Sequence, residues 1–163
     1  MSEPLPLLLA LIPLLPLAAA ALSAVTPRAG RRLSATLAIG SMAAALALSL
    51  IALATALASP ADHTAFNATW FLVADTPLQL GLLLDPLTGL MLAMVTFVGL
   101  MIFVFSAGYM KDDPNFTRFF CFLALFASAM LGLIVANSLL LLFACWELVG
   151  LASYLLIGFW FDK

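Results

Sequence analysis

The chain has 163 residues, 66% of them apolar and 9% charged, with a formal net charge of −2. Soluble domains run nearer half apolar and roughly a quarter charged, so this chain cannot cover a core with polar surface and needs lipid as its solvent. A net charge this small decides nothing about partners; the bilayer is one, and nucleic acid is not expected. There is no Gly-rich phosphate loop and no His/Cys cluster, so neither a cofactor nor a metal is expected to be held by this chain alone.

The first apolar run, near 5–25, is followed by small residues around Ala19–Ala24 and imitates a secretory signal. A signal peptide carries a positive n-region, whereas the only charged side chain ahead of Arg28 is Glu3. The run reads as a retained first helix with an outward-facing N-terminus. Four further segments, near 34–59, 86–110, 117–137 and 138–160, reach the ~20 apolar residues needed to cross hydrocarbon. The last two are separated only by a tight turn at Asn137 and Ser138. Asp85-Pro86 and Asp113-Pro114 are helix-start signatures, in which Asp caps orphan amides and Pro takes the first helical position.

Between the second and third spans, Pro60–Leu84 is too long for a simple turn. Trp70–Ala74 is strand-like, Asp75-Thr76-Pro77 is a turn signal, and Leu78, Leu80 and Leu82 alternate with Gln79 and Gly81. The expected fold is therefore an all-α integral membrane protein of five transmembrane helices, with a short external β-hairpin between helices two and three. His63 reads as a solvated loop residue rather than a ligand. The Asn67-Ala68-Thr69 sequon is too short a motif to carry weight.

Within the spans, Ser128 and Gly132 form a small-xxx-small face, and Gly40, Ala44 and Ala45 offer another. Met91, Met94, Met101 and Met130 are lipid-compatible fillers, and Cys121 and Cys145 read as small buried hydrophobes. Glu147 stands apart. It lies in the middle of the run from Ser138 to Trp160, with about ten residues on either side. A charge near the bilayer centre costs about 2.5–3.5 kcal/mol on insertion scales. The bland reading is a protonated carboxyl that bonds a neighbouring helix; the favoured one is a group that takes up protons, pairs with a buried cation or lines a wet path. Gly150, Tyr154 and Gly158 follow at helical offsets of three, seven and eleven, so a polar, small-residue stripe should face protein or water. Tyr154 either hydrogen-bonds within that stripe or packs there.

The stretch RFFCFLALFASAMLGLIVANSLLLLFACWELVGLASYLLIGFWFDK closely resembles the subunit L family of NADH-quinone oxidoreductase, the antiporter-like membrane subunits of respiratory complex I. LIPLLPL in the first span, LLLDPLTGLMLAMVTFVGLMIFVFSAGYM in the third and the turn KDDPNFTRFF fit the same family in order and spacing. The resemblance covers nearly the whole chain, is weak in the Ala-rich second span and is strongest from Asp85 onward. WELVGLASYLLIGFW is shared across the antiporter-like family, which includes Mrp-type cation/proton antiporter subunits; the flanking residues favour subunit L.

The resemblance implies a proton-translocating subunit that couples quinone reduction to pumping. Glu147 would be its fifth-helix channel glutamate, with Tyr154 a possible support. Flavin, iron–sulfur clusters and quinone would belong to partner subunits. In the family the glutamate pairs with a lysine on a later, broken helix, and separating the pair lets the lysine shed its proton. Asn137 and Ser138 stand where many members have Asp-Asn, so any role of that acidic position is missing. The chain matches the N-terminal third or less of such a subunit, the channel lysines lie beyond Lys163, and alone it is not expected to pump. A fragment, a split gene product and a truncated reading frame fit equally. The alternatives are a Mrp-type exchanger and a structural or assembly membrane protein.

Arg28, Arg31, Arg32, Lys111, Arg118 and Lys163 all fall on one side of the five spans, and Glu3, Asp62, His63, Asp75 and Asp85 on the other. By the positive-inside rule the basic loops are cytoplasmic. This puts the N-terminus outside and the C-terminus in the cytoplasm; the resemblance suggests the bacterial inner membrane. A reporter fused after Lys163 should be cytoplasmic and one inserted near Asp62 external; labelling of both from the same side would overturn the five-span reading.

Overall fold

The computed structural model describes residues 4–27, 29–58, 64–73 and 76–160. Glu3, Arg28, Asp62, His63, Asp75 and Lys163 lie outside the described residues. Five helices follow in order: α1 (Pro4–Val25), α2 (Arg31–Ala58), α3 (Pro86–Tyr109), α4 (Phe116–Val135) and α5 (Leu139–Ile157). A short 3₁₀ turn, Gly158–Trp160, ends α5. All five are long and apolar enough to cross a membrane. In hydrocarbon each backbone must satisfy its own polar groups, and a helix does so within the segment.

The helix ends show how local chemistry sets the bounds. Asp85 caps α3 as expected: its side chain accepts from the Thr88 amide, and Pro86 takes the first helical position. Helix α2 starts at Arg31, three residues before the apolar run, because a turn closed by Gly30 N–H to the Pro27 carbonyl at 2.8 Å launches it. Asp113-Pro114 departs from the expectation. Helix α4 starts at Phe116 with Asn115 at the cap position and no side-chain cap bond. Asp113 instead takes the Asn115 amide on one carboxylate oxygen at 2.8 Å, an Asx turn that leaves Pro114 outside the helix.

The hairpin is longer than its sequence signal. Strand β1 covers Thr64–Val73 and pairs antiparallel with β2, Thr76–Leu84. Thr76 and Pro77 therefore belong to the ladder, opposite Val73 and Leu72, rather than to the turn. Pro77 is tolerated because each strand of a two-stranded ribbon is an edge. The register slips between Thr69 and Phe71, with Trp70 as the extra residue of a bulge. The alternation of Leu80, Leu82 and Leu84 turns these leucines and Phe66 toward the helix ends, where Leu84 is fully buried, while Trp70 and Leu72 stay exposed. The Gly81 carbonyl accepts the Asn137 amide at 2.8 Å, so the hairpin is strapped to the α4–α5 turn.

Helices α1, α2, α3 and α4 share two cores. Near the hairpin, Leu9, Ile12, Leu92 and Leu131 interlock; toward the opposite end, Met42, Phe103, Phe116 and Phe120 do. The Phe103 and Phe120 rings meet edge to face at 6.3 Å. The Ser128–Gly132 face packs as expected. The Ser128 hydroxyl donates to the Pro13 carbonyl at 2.8 Å, and a Cβ on Gly132 would come within 2.9 Å of the Cys145 sulfur. Helix α1 carries Pro13 and Pro16, which remove amides from its ladder; the Ser128 hydroxyl gains its own partner from the Pro13 carbonyl at this level.

The α2 face differs from expectation. Gly40 and Ala44 are exposed, and a Cβ on Gly40 would meet nothing within 4 Å. The buried stripe is Ala38, Met42, Ala45, Ser49, Ala52 and Ala56. Alanine surrounds this helix, so composition alone could not choose a side. The close approaches lie on α3: a Cβ on Gly89 would sit 3.0 Å from the Leu53 Cα, and one on Gly99 would meet the end of Met42 at 2.6 Å. Gly89→Ala should destabilise α2–α3 packing by about 1–3 kcal/mol, the usual cost of overpacking, and Gly40→Ala should be neutral or slightly stabilising. Thermal unfolding of the two variants in detergent compares them directly.

Candidate functional site at the intramembrane carboxylate

Ser138 starts α5, its hydroxyl accepting from the Leu141 amide at 3.3 Å. The helix then packs mainly on α4 along a narrow strip. Its buried residues are Cys145 and Ala152, and Phe159 in the closing turn continues the same seven-residue spacing. Glu147 is two residues past Cys145, about 200° around the helix, and it is exposed. Gly150 and Gly158 are exposed on the same side, and a Cβ on either would meet nothing within 4 Å. Tyr154 is 73% exposed.

The four stripe residues thus share a face, and that face turns away from the other four helices. Glu147 makes no hydrogen bond or ion pair with a described residue. Tyr154 stands about 10 Å farther along the axis, too far to bond the carboxylate directly, and it neither hydrogen-bonds nor packs into the described structure. Phe143, Trp146 and Ile157 are also exposed on α5, which suits lipid or a neighbouring helix equally. A carboxylate does not suit lipid. Chemically the arrangement can hold a proton or meet a cation brought by another segment or subunit.

Polar ties fix both ends of α5. At the hairpin end, the Asn137 amide bonds to Gly81, and its side chain donates to Asn67 Oδ1 at 3.3 Å. The sequon asparagine is therefore engaged in the strap. At the other end Trp160 Nε1 donates to Asp113 Oδ2 at 2.9 Å. Arg31 reaches the same turn, donating to the carbonyls of Lys111 at 2.9 Å and Asp113 at 2.7 Å, with its guanidinium 6.0 Å from the Phe116 ring centre. Sequence reasoning missed this three-way junction of α2, the α3–α4 turn and α5. The available signal was an Arg, an Asp and a Trp at three helix ends on one side. Arg31, Arg32, Lys111 and Arg118, the described basic residues, all lie at this end, opposite the hairpin.

Among the described residues no group of three or more His, Cys, Asp or Glu could hold a metal. Cys121 and Cys145 are free thiols, half-buried and buried, in keeping with a packing role.

Residues 70–120 match the family model described as NADH-ubiquinone oxidoreductase (complex I), chain 5 N-terminus. The likeness is to subunit 5. The chloroplastic NAD(P)H-quinone oxidoreductase subunit 5 of Nephroselmis olivacea is 41% identical over 160 residues, covering 94% of this chain. NAD(P)H-quinone oxidoreductase chain 5 of Synechocystis sp. is 40% identical over 133 residues, or 82% of this chain. The Zygnema circumcarinatum chloroplastic subunit 5 is 40% identical over 130 residues, or 80%. The chain spans only 18–24% of the length of these subunit 5 relatives. Glu147 lies beyond the matched residues 70–120, but the match to the Nephroselmis subunit leaves too little of the chain uncovered to miss position 147.

Removing the junction at the basic end should loosen α5 without unfolding the bundle. Asp113→Ala, which deletes both carboxylate bonds, should cost about 1–2 kcal/mol after allowance for exposure, and Trp160→Phe about half that. Hydrogen exchange should rise first in the last turn of α5. Unchanged exchange there in both variants would show the tie to be idle.

Proposed function

We propose that this chain forms the N-terminal membrane portion of an antiporter-like, proton-translocating subunit of an NAD(P)H-quinone oxidoreductase, of the subunit L type, with Glu147 in its proton path. The observation that carries the reading is the placement of Glu147. It is a carboxylate at mid-span, on a face directed away from the four packed helices, beside two glycines whose surfaces lie open. Such a face is stable in a membrane only against protein or water. A lysine-bearing helix would satisfy it, and an opposite charge at close range favours the ionised forms of both groups. The names and extent of the subunit 5 relatives support the same reading.

In this reading the chain holds no redox group. Flavin, iron–sulfur clusters and quinone belong to partner subunits, and the membrane subunits of the complex cover the α5 face. The basic end is cytoplasmic and the hairpin lies outside, by the positive-inside rule, in an energy-coupling membrane of bacterial inner-membrane type. Tyr154, on the Glu147 stripe, supports a water or side-chain relay toward one surface.

Glu147→Gln, made in the complete subunit, tests the assignment. It keeps shape and some hydrogen bonding but removes both charge and titratable proton. Proton translocation in membrane vesicles should fall on the order of tenfold or more, with quinone-linked NADH oxidation following it, while insertion and assembly stay normal. Glu147→Asp keeps the charge one methylene short and should retain partial activity. Full pumping by the Gln variant at normal expression would remove Glu147 from the path and leave it a packing residue.

A further inference from the structure

We propose that Gly132 is a positioning residue for Glu147: the notch it leaves in α4 receives the Cys145 sulfur and so fixes the distance and rotation of α5 at the level of the carboxylate. The consequence for pumping rests on Glu147 belonging to the proton path; the placement itself rests on the contact geometry.

Few side chains hold α5. Its buried residues are Cys145 and Ala152, with Phe159 in the closing turn. Phe159 meets the Phe119 ring of α4 edge to face at 5.5 Å, but it lies twelve residues beyond Glu147, about 18 Å along the axis. Cys145 precedes Glu147 by two residues, about 3 Å, and is the buried residue of α5 nearest to the carboxylate. Opposite Cys145 stands Gly132. A Cβ at position 132 would lie 2.9 Å from the Cys145 sulfur and 3.9 Å from the Cys145 Cβ. Glycine alone lets α5 sit this close.

Crowding at this contact would fall on α5 rather than on α4. Helix α4 is backed by α1 at the same level: a Cβ at position 132 would stand 4.0 Å from the Pro13 Cβ, and Ser128, one turn earlier, donates to the Pro13 carbonyl at 2.8 Å. Buried residues run the length of α4, from Phe116 to Val135. Among the described residues α5 has no such backing. On one flank of the contact a slot of about 430 Å³ opens between α1 and α5, with Leu14, Leu17, Cys145 and Leu148 in its walls. On the other is the exposed Glu147 stripe. Space on one side and an unpacked face on the other let a push at Cys145 turn or lift the helix. The ties at Asn137 and Trp160 lie at its ends and leave the middle free to move.

The sulfur has one way to leave the notch without moving its helix. Cysteine has a single side-chain torsion with three staggered wells, one of them rare in a helix. Gly132→Ala therefore admits partial relief. Gly132→Val does not, because its further carbons crowd the Cβ atoms of Cys145 and Pro13, which no torsion of the sulfur clears.

Infrared difference spectroscopy on the complete subunit in its complex reads the Glu147 carboxyl stretch as the band lost in Glu147→Gln. Gly132→Val should shift that band. Proton translocation per assembled complex should fall on the order of tenfold, short of the ~hundredfold that a 1 Å misplacement can cost, with the KM for quinone unchanged. Gly132→Ala should act in the same way to a lesser degree. Adding Cys145→Ala to it, which trades the sulfur for the new methyl, should restore both readouts. Gly89→Ala, which crowds α2 against α3 instead, should leave band and rate in place. An unmoved band in Gly132→Val, or in Gly132→Ala if the valine variant does not assemble, would overturn the proposal. So would an equal shift in Gly89→Ala, or one that Cys145→Ala does not reverse. Full pumping by Glu147→Gln would instead remove the proton-path reading, and the band shift would still decide the placement.

Discussion

Hydrocarbon offers no partner to a polar group, and nearly every feature of this protein answers that constraint. Backbone amides are satisfied inside five helices, and the sheet is confined to the segment that joins two of them. The Ser128 hydroxyl of α4, buried between helices, finds its acceptor in the Pro13 carbonyl of α1. Described charged side chains collect at helix ends, where Arg31 and Asp113 bind carbonyls, an amide and an indole. Glu147 is the one described acidic or basic side chain that lies in the middle of a span, and nothing from the described residues meets it there.

The bundle achieves cohesion without a hydrophobic drive between helices, since lipid tails are as apolar as leucine. Close approach substitutes for it. Gly89 lets α2 and α3 meet backbone to backbone, Gly132 admits the Cys145 sulfur, and the phenylalanines of α3 and α4 fill what remains near the basic end. Helix α5 is the exception again, resting on α4 through Cys145, Ala152 and Phe159 and held by polar ties at its two ends. A helix attached along so thin a strip keeps most of its circumference for other contacts.

Much of this was legible in the chain itself. Five apolar runs gave five helices, since a run of that length has few other stable forms in lipid. The Asp85-Pro86 cap and the Ser128–Gly132 face followed from residue type and spacing. The failures share a cause, which is that one-dimensional patterns are silent where several solutions are equivalent. Alanine on all sides of α2 hid which face packs, and the real contacts were set by glycines on its neighbour. Asp113-Pro114 has the same letters as Asp85-Pro86, yet Trp160, 47 residues away, claims its carboxylate. The β-hairpin began at Thr64 because strand pairing extends a weak local signal once the partner strand is in place. For Glu147 the sequence located the residue and the helix face, while the structure added the direction of that face relative to the other four helices.

The strap between the hairpin and the α4–α5 turn has a consequence for heredity. Its shortest bond joins two main-chain groups, the Asn137 amide and the Gly81 carbonyl, and an isolated pairing of Leu82 with Ala136 lies beside it. Main-chain bonds are indifferent to the side chain they pass beneath. Position 137 can therefore exchange one polar residue for another across generations while the two segments stay joined. Position 81 has no such liberty, because any Cβ there would press on Asn67 and Asn137. Natural variation should thus gather on one side of this contact and be purged on the other, leaving a drifting residue bound to a constant one.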